Sequence, residues 1–332
     1  MHIWRGAERT PSGWGRSVVT VGVFDGVHLG HQRVISQVVA TAAERGLQPA
    51  VVTFDPHPVE VVRPGSHPPV LTPVGRKTEL LCGLGVEAVC VLPFTVELSR
   101  RSPEEFTHDV LVAALHAAVV VVGENFRFGH RASGDVTTLR QLGERFGFRV
   151  EGCPLRRPDA DAAEHPIYSS TYIRACIAAG DVATAAAALG RPHRIEGLVV
   201  RGDRRGATLG FPTANLAPPA FTALPADGIY AGWLRRARGT AYTAAGTVDV
   251  ERADSEPIPA AISVGSNPTF TASARRVEAH LLDFTGDLYG EHVTLDFIDW
   301  LRPMKKFGSA AELATAISTD VDNTREVLAS RA

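Results

Sequence analysis

Lysine is nearly absent from this chain of 332 residues, which has only Lys77, Lys305 and Lys306 among its 34 basic residues. The Gly-Lys pair that ends most phosphate-binding loops does not occur at all. Arginine does not simply replace that lysine, because the two side chains bind phosphate with different geometries. Any phosphate chemistry of this chain must therefore depend on arginine, histidine, backbone amides or metal.

Cysteine is also scarce. The four cysteines have neither the paired spacing of a metal site nor the density of a disulfide scaffold; they are Cys82, Cys90, Cys153 and Cys176. The chain shows no signal-peptide pattern at its start. These two absences are typical of a protein in a reducing compartment. The sequence therefore predicts a cytoplasmic location.

Long hydrophobic runs are lacking as well. The longest, Val110 to Val122, is interrupted by His116 and is too short to span a bilayer, so we expect a buried helix that leads into a strand. The formal net charge of -2 argues against a general polyanion binder. The sequence thus predicts neither a membrane nor a nucleic-acid partner.

The chain is long enough for two hydrophobic cores. Its first half alternates short β-branched runs with helical segments, which is typical of a parallel sheet with crossover helices. Strands are predicted over residues 17–24, 50–54, 88–92, 118–123 and 148–153. Helices are predicted over residues 31–45, 77–84 and 103–117. The last helix has Ser102 as its N-cap, Pro103 at the first helical position and Glu105 at the third.

From Ser169 the sequence predicts two short helices, separated by Gly180 as a stop and Asp181 as the next cap. The domain boundary is predicted here, giving domains of residues 1–186 and 187–332. Beyond it, strands separated by Gly, Pro and Asp favour an antiparallel barrel or sandwich, followed by a last helix over residues 309–329. These strands are predicted over residues 194–202, 229–235, 241–250, 259–265, 276–284 and 292–301.

The segment GVFDGVHLGH, residues 22–31, is the most unusual part of the first half. Gly26 permits a tight turn after the strand, and Gly30 lets a ligand approach the first turn of a new helix. His28 and His31 lie three residues apart and can face one phosphate together. Imidazole can stabilise charge on a pentacoordinate phosphorus, so the pair favours attack at an α-phosphate with pyrophosphate leaving. The alternative is that each histidine only caps or packs.

Three further polar segments are TFDPHP (53–58), VVGENFRFG (121–129) and SSTYIR (169–174). Ligands bind at the carboxyl ends of the strands in open α/β sheets, so we expect the first two to join GVFDGVHLGH at one site. In SSTYIR, Ser170 and Thr171 stand at a helix start, and Arg174 can act as a bidentate phosphate donor one turn later. The alternatives are a routine Asp-Pro turn and an ordinary N-cap.

These four segments resemble the adenylyltransferase module of the bacterial bifunctional riboflavin kinase/FAD synthetase family, in the nucleotidyltransferase superfamily with a histidine-glycine-histidine signature. The resemblance implies a Rossmann-like domain with a parallel sheet, which uses ATP and Mg²⁺ to convert FMN to FAD. The implied ATP-binding residues are Gly22, Phe24, Asp25, Gly26, His28, His31, Asn125, Ser169, Ser170, Thr171 and Arg174. The implied flavin contacts are Phe54, Asp55, Phe126 and Phe128. For Phe126 and Phe128 the alternative is simple packing, and for Asp55 it is orientation of a metal or a histidine.

The segment GLVVRGDRRGATLGFPTANL, residues 197–216, has four glycines around a basic turn. In an extended segment Thr213 and Asn215 point to the same side. A hydroxyl and an amide oxygen together suit a hard cation such as Mg²⁺ bound to nucleotide phosphates. The pair also occurs in ordinary strands.

This segment, with residues 225–233, 263–270 and 277–307, resembles the riboflavin kinase module of the same family, a six-stranded antiparallel barrel with a terminal helix. The resemblance implies that Glu278 is the general base for the ribityl 5'-hydroxyl and that Arg302 supports the phosphates or the flavin-side loop. The alternative for Glu278 is a solvated strand carboxylate. The implied ATP-binding residues are Gly197, Gly202, Gly206, Gly210, Pro212, Thr213 and Asn215, of which Thr213 and Asn215 are also the implied metal ligands.

One departure from the family's pattern is Ala207, where the family often has arginine. If that arginine steadies the nucleotide loop, we expect weaker kinase binding of ATP, unless Arg204 or Arg205 compensates. Loss of activity does not follow from this substitution.

The sequence thus predicts a bifunctional enzyme with riboflavin, FMN and ATP as partners and with FMN and FAD as products. Three alternatives are a single retained activity, an adenylyltransferase with another acceptor such as pantetheine phosphate, and a non-catalytic flavin-binding regulator. The intact kinase-like half disfavours the second. The third predicts erosion of site residues such as His28 and Glu278, which are present. Weak association into a homo-oligomer is left open.

Overall fold

The computed structural model describes residues 1–154, 168–202, 206, 209–236, 256–266 and 275–331. These residues divide into two compact units. The first unit is formed from Met1–Pro68 and Thr72–Ser169, and the second from Pro69–Leu71 and the described residues from Ser170 onward. The predicted domain boundary after residue 186 stays a prediction.

The first unit is built on a six-stranded parallel sheet. Its strands are β1 (His2–Arg5), β2 (Ser17–Val21), β3 (Gln48–Asp55), β4 (Ala88–Pro93), β5 (Ala117–Gly123) and β6 (Arg149–Cys153). They are arranged in the order β1-β4-β3-β2-β5-β6. The central strands are continuous runs of buried apolar residues, because helices cover both faces of a parallel sheet. The predicted α/β architecture is confirmed, although β1 was not predicted.

Helices connect these strands. They are α1 (Leu29–Arg45), α2 (Pro58–Val62), α3 (Val74–Gly83), α4 (Val96–Arg100), α5 (Pro103–Phe106) and α6 (Val136–Phe146). The capping box is confirmed, since Ser102 Oγ accepts from Glu105 N and the Glu105 carboxylate accepts from Ser102 N. The prediction of one α-helix over residues 103–117 is wrong beyond Phe106. There the chain widens into a π-helix, Thr107–Ala114, with Leu115 N donating to Val110 O.

The second unit begins with α7 (Ser170–Ala178) and α8 (Val182–Leu189). As predicted, Asp181 caps α8 by accepting a hydrogen bond from Thr184 N at 2.9 Å. Gly190 ends α8 in the left-handed conformation that glycine adopts without steric cost. No helix in the described ranges is long and apolar enough to cross a membrane.

A closed antiparallel barrel follows. Its strands are β7 (His193–Val200), β8 (Thr213–Ala217), β9 (Gly228–Arg236), β10 (Ile258–Ser266), β11 (Arg275–Leu281) and β12 (His292–Pro303). They close in the order β10-β11-β8-β7-β12-β9, which confirms the predicted six-stranded barrel. The strand predicted over residues 241–250 lies outside the described residues.

The terminal helix α9 (Ala310–Ser330) begins after the N-cap Ser309 and packs on the barrel. Val321 joins a small apolar cluster with Ala261 of β10 and with Leu282, the residue that follows β11. Asp320, which is 4% exposed, accepts two hydrogen bonds from Arg302 of β12, at 2.6 and 2.7 Å. The helix is therefore fixed to the barrel by both apolar contact and a buried ion pair.

Candidate active sites

The turn between β2 and α1 has an unusual backbone. Phe24, Gly26 and Val27 all have positive φ angles, of 50°, 86° and 40°. Phenylalanine and the β-branched valine rarely adopt this conformation, and such strain is concentrated at functional sites. The turn brings His28 to the N-cap of α1, which begins at Leu29, two residues before the helix predicted over residues 31–45.

The two histidines of this turn pack face to face. His28 Nδ1 accepts a hydrogen bond from His31 N at 3.3 Å, and the ring centroids lie 3.6 Å apart. Phe24 packs edge-on against His31 at 5.1 Å. Because Nδ1 of His28 is an acceptor, the neutral ring carries its proton on Nε2 and offers an N–H donor there. Capping and phosphate binding are thus compatible in one side chain.

Two glycines of the turn pack closely against aromatic side chains. A Cβ atom on Gly22 would lie 2.9 Å from the Phe24 ring, and one on Gly30 would lie 3.0 Å from Cε1 of His28. Asp25 is 4% exposed, and its Oδ1 accepts a hydrogen bond from Thr72 N at 3.0 Å. The predicted nucleotide contact of Asp25 stays a prediction, and the structure shows that this carboxylate anchors the turn.

A cavity of about 1110 Å³ opens beside this turn in the first unit. It brings together predicted residues of three segments, namely Gly22, Phe54, Asn125, Phe126 and Phe128. Phe126 and Phe128 are stacked with their centroids 5.3 Å apart. The volume and the aromatic lining suit a planar heteroaromatic ligand.

Other residues of this cavity were not predicted. They include the aromatic ring of Phe94 and four arginines, Arg63, Arg101, Arg127 and Arg131. Phe94 packs edge-on against Phe54 with centroids 5.5 Å apart. Asp55 is not among the residues that line this cavity, and its carboxylate lies 3.7 Å from Arg5. The position of Phe94 just after β4 was the signal that could have found it.

The SSTYIR segment falls at the division between the units. Ser169 belongs to the first unit, whereas Ser170, Thr171 and Arg174 belong to the second. Ser170 begins α7, as predicted, and Arg174 Nε donates to the carbonyl of Pro69 at 2.6 Å. Their clamp on a triphosphate stays a prediction.

The second site lies on the outer face of the barrel. Val277, Ala279 and Leu216 of β11 and β8 are buried in the core, so the alternate residues point away from it. Thr213, Asn215 and Glu278 are among these outward residues, and Asn215 and Glu278 are direct cross-strand partners. Thr213 Oγ1 donates a hydrogen bond to Glu278 Oε2 at 3.3 Å.

The barrel brings further side chains to the same face. Ser263 of β10 is the cross-strand partner of Glu278 on its other side. His280 lies two residues beyond Glu278 on β11, and its Nδ1 donates to the carbonyl of Pro212 at 2.8 Å. Neither residue was predicted, because their places depend on strand register.

The predicted glycines of the kinase segment have different structural reasons. A Cβ atom on Gly202 would collide with the Asn215 amide, so this glycine allows close packing against Asn215. Gly206 O accepts from Phe211 N at 2.9 Å, and Gly210 has a φ of 87°. Gly197 lies within β7, where a Cβ would collide with the carbonyl of Ala217. Barrel packing therefore accounts for Gly197 without a nucleotide contact.

A smaller cavity of about 250 Å³ adjoins Thr213. Its lining includes Val199, Pro212, Leu281, Asp287 and Tyr289. Arg302 is held by Asp320 of α9, and its predicted contact with phosphate or flavin stays a prediction. Ala207, Arg204 and Arg205 lie outside the described residues.

No group of three or more His, Cys, Asp or Glu side chains suited to a metal occurs among the described residues. Thr213, Asn215 and Glu278 nevertheless present oxygen atoms, which are the ligands that Mg²⁺ prefers. Because Mg²⁺ keeps several waters and phosphate oxygens, it needs few protein ligands. This donor set therefore fits a cation that is delivered with a nucleotide.

Two family models match the chain, one over each region that carries a site. The model for FAD synthetase matches residues 10–165, and the model for riboflavin kinase matches residues 189–328. The bifunctional riboflavin kinase/FMN adenylyltransferase of Listeria monocytogenes is 35% identical over 94% of this chain and 92% of its own length. The chain belongs to the bifunctional riboflavin kinase/FMN adenylyltransferase family.

Further members of this family are similar along nearly their full length. The proteins of Escherichia coli and Bacillus subtilis are each 32% identical to this chain and are covered over 92% and 90% of their lengths. A crystal structure described as a macrolide-efflux protein from Streptococcus pneumoniae superposes with a TM-score of 0.81 at 29% identity. The match covers 97% of this chain and 98% of that one, so both have the same fold.

Proposed function

We propose that this chain phosphorylates riboflavin to FMN on its barrel and adenylylates FMN to FAD in its first unit, with ATP as co-substrate in both steps. Membership of the bifunctional family supports both activities. The observation that carries the proposal is that the GVFDGVHLGH, TFDPHP and VVGENFRFG segments meet in the first unit and that the predicted kinase residues meet on the barrel. Thr213 contacts Glu278 on the barrel, and the stacked histidines begin α1 beside an aromatic cavity.

In the kinase reaction Glu278 accepts the proton of the ribityl 5'-hydroxyl as its oxygen attacks the γ-phosphorus, and ADP leaves. The hydrogen bond from Thr213 orients this carboxylate on the outer face of the barrel. Thr213 and Asn215 are the residues that would hold Mg²⁺, which neutralises phosphate charge when it is bound. The predicted metal role of these two residues belongs to this proposal.

In the adenylyl transfer the FMN phosphate attacks the α-phosphorus of ATP and pyrophosphate leaves. No protein nucleophile is needed, so alignment of the substrates and stabilisation of developing charge provide the catalysis. The Nε2–H of His28 and the backbone amides at the start of α1 are donors for that charge. Phe54, Phe126 and Phe128 provide the aromatic wall for the flavin ring.

The other site predictions complete this proposal. Asn125 contacts the nucleotide, the SSTYIR segment clamps the triphosphate, and Arg302 supports the kinase site. The proposed location is the cytoplasm. Retention of one activity and a non-catalytic flavin-binding regulator are the outcomes that would replace the proposal.

The test is a chromatographic time course of purified protein with riboflavin, ATP and Mg²⁺. We expect FMN to form first and FAD second. Glu278→Gln should abolish FMN formation from riboflavin but leave FAD formation from added FMN intact. His28→Ala should show the reverse pattern. Separate loss of the two steps assigns each activity to its own site.

Two control variants match these changes. Glu291→Gln alters a carboxylate that pairs with Arg236 elsewhere on the barrel, and His108→Ala alters an exposed histidine of the π-helix. Both controls should retain both activities. FMN without FAD in the wild type would reduce the chain to a kinase, and tight flavin binding without either product would indicate a regulator.

A further inference from the structure

Lys77 is buried in the first unit with 5% of its surface exposed, whereas Lys305 and Lys306 are exposed. Burial of an ammonium group is unfavourable unless protein oxygen atoms replace its water. Desolvation lowers the pKa of Lys77 below its ordinary value, and the charges of Asp25 and Asp55 oppose that change. In a chain that uses arginine almost everywhere else, a buried lysine at this position indicates a specific contact.

The Lys77 ammonium group connects the carboxyl ends of two neighbouring strands. From α3 its Nζ donates to the carbonyl of Val23 at 3.0 Å and to that of Phe54 at 3.4 Å. Val23 follows β2, and Phe54 lies near the end of β3. The Thr53 hydroxyl donates to the same Val23 carbonyl at 3.0 Å. These bonds fix the start of the loop after β2 relative to the start of the loop after β3.

Both bonded carbonyls belong to residues that line the aromatic cavity. Val23 begins the turn that leads to His28, and the Phe54 ring forms part of the proposed flavin wall. The turn is also tied to the start of α3, since Asp25 accepts from Thr72 N just before that helix. Lys77 thus lies where the phosphate-binding turn, the flavin wall and α3 converge.

We propose that Lys77 is a positioning residue for FMN adenylylation, which sets the spacing between the phosphate-binding turn and the flavin wall. This inference rests on the adenylyltransferase activity proposed above. Its physical reason is that transfer needs the FMN phosphate aligned with the α-phosphorus, and a misplacement of about 1 Å can cost about 100-fold in rate. Lys77 does not need to touch either substrate, because its two carbonyl contacts act through the loops.

The test compares Lys77→Met with Leu115→Ala. Methionine keeps much of the lysine volume but donates no hydrogen bond to the two carbonyls. Leu115 is fully buried, so Leu115→Ala destabilises the first unit by loss of apolar packing. Its carbonyl accepts from the Ser17 hydroxyl at the amino end of β2, so it lies at the opposite ends of the strands from Lys77. The values of kcat and KM for FAD formation from FMN are measured well below the melting temperature of both variants. Riboflavin phosphorylation provides the internal control.

For Lys77→Met we expect kcat for FAD formation to fall by about 10- to 100-fold. The KM values and the kinase rate should change less than kcat. Leu115→Ala should lower the melting temperature without this loss of kcat. A Lys77→Met enzyme with wild-type kcat, or an equal loss of kcat in Leu115→Ala, would overturn the inference.

Amide hydrogen exchange gives a second readout that does not require activity. In Lys77→Met, exchange should become about tenfold faster in residues 22–31 and 53–58 together, while Leu115→Ala leaves their protection relative to the rest of the sheet unchanged. Unchanged protection of these two loops in Lys77→Met would contradict the positioning role. A wild type that forms no FAD would refute the proposed adenylyltransferase, and the exchange experiment would still decide what Lys77 holds.

Discussion

Thr213 and Glu278, on adjacent strands of the barrel, are joined by a hydrogen bond of 3.3 Å from hydroxyl to carboxylate. The bond links the proposed base of the kinase reaction to a residue that is proposed to hold the nucleotide. The two residues are 65 positions apart in the chain and meet only because β8 pairs with β11. Orientation of the proposed base therefore depends on the pairing of β11 with β8.

Removal of the Thr213 hydroxyl should impair only the kinase. Thr213→Val keeps the shape of the side chain but leaves Glu278 without this donor. We expect FMN formation to slow by about 100-fold, which is the lower end of the rate enhancement that general acid–base catalysis contributes. FAD formation from added FMN should not change. Thr222→Val, which removes an exposed hydroxyl that donates to Pro219 O, is the control, and unaltered FMN formation in Thr213→Val would contradict the role.

The two functions of His28 can be separated by substitution. Asparagine is a good N-cap residue, so His28→Asn should keep the stability of α1, whereas His28→Ala should cost about 1 kcal/mol in unfolding free energy. Both variants lack the imidazole donor, so both should lose about 100- to 1000-fold in the rate of FAD formation. Urea unfolding and the FAD assay measure the two effects. Full activity in His28→Asn would mean that His28 is only a cap.

The barrel depends on a buried ion pair between β7 and β12. Arg194 donates to both carboxylate oxygens of Asp296, each at 2.7 Å, and the Asp296 side chain is 9% exposed. Asp296→Asn removes the buried negative charge that Arg194 binds, so we expect a loss of about 3–5 kcal/mol in unfolding free energy. Glu291→Gln breaks the exposed pair with Arg236 and should cost much less. Equal losses in urea unfolding would contradict this difference.

The buried Lys77 should make the unfolding free energy of the wild type depend on pH in the alkaline range. Its pKa in the folded chain is lowered from 10.5, so between the folded value and 10.5 the unfolded chain binds more protons. The wild type should therefore gain stability relative to Lys77→Met as the pH rises through this window toward 10.5. Below the folded pKa the difference should be constant. Urea unfolding of both proteins at several pH values measures the difference in their unfolding free energies. A difference that is constant at all pH values would contradict the lowered pKa of Lys77.

Much of the local structure was predictable because its causes lie within a few residues. The Ser102 and Glu105 capping box, the Asp181 cap and the stop at Gly190 all follow from short-range hydrogen bonding and backbone conformation. The motif around His28 was predictable for the same reason, since a strand, a tight turn and a helix start are consecutive. The apolar runs also indicated a sheet with both faces covered.

The site residues that were missed depend on distant pairing. Phe94 reaches the cavity because β4 lies beside β3, and His280 reaches Pro212 because of the register of β11 with β8. The four-residue strand β1 is too short to give a periodic pattern. The π-helix after Phe106 has the composition of an ordinary helix, so its wider turns could not be read from the residue types.

By itself the sequence determined the two sets of motifs, the fold class of each domain and the chemistry that the residue types in each motif can perform. These properties depend on residue types and short spacings, which the chain carries without folding. Only the tertiary structure decided that Thr213 contacts Glu278 and that Lys77 spans the ends of β2 and β3. Those contacts join residues that are far apart in the chain, and they form only when burial of the apolar strands fixes strand order and register.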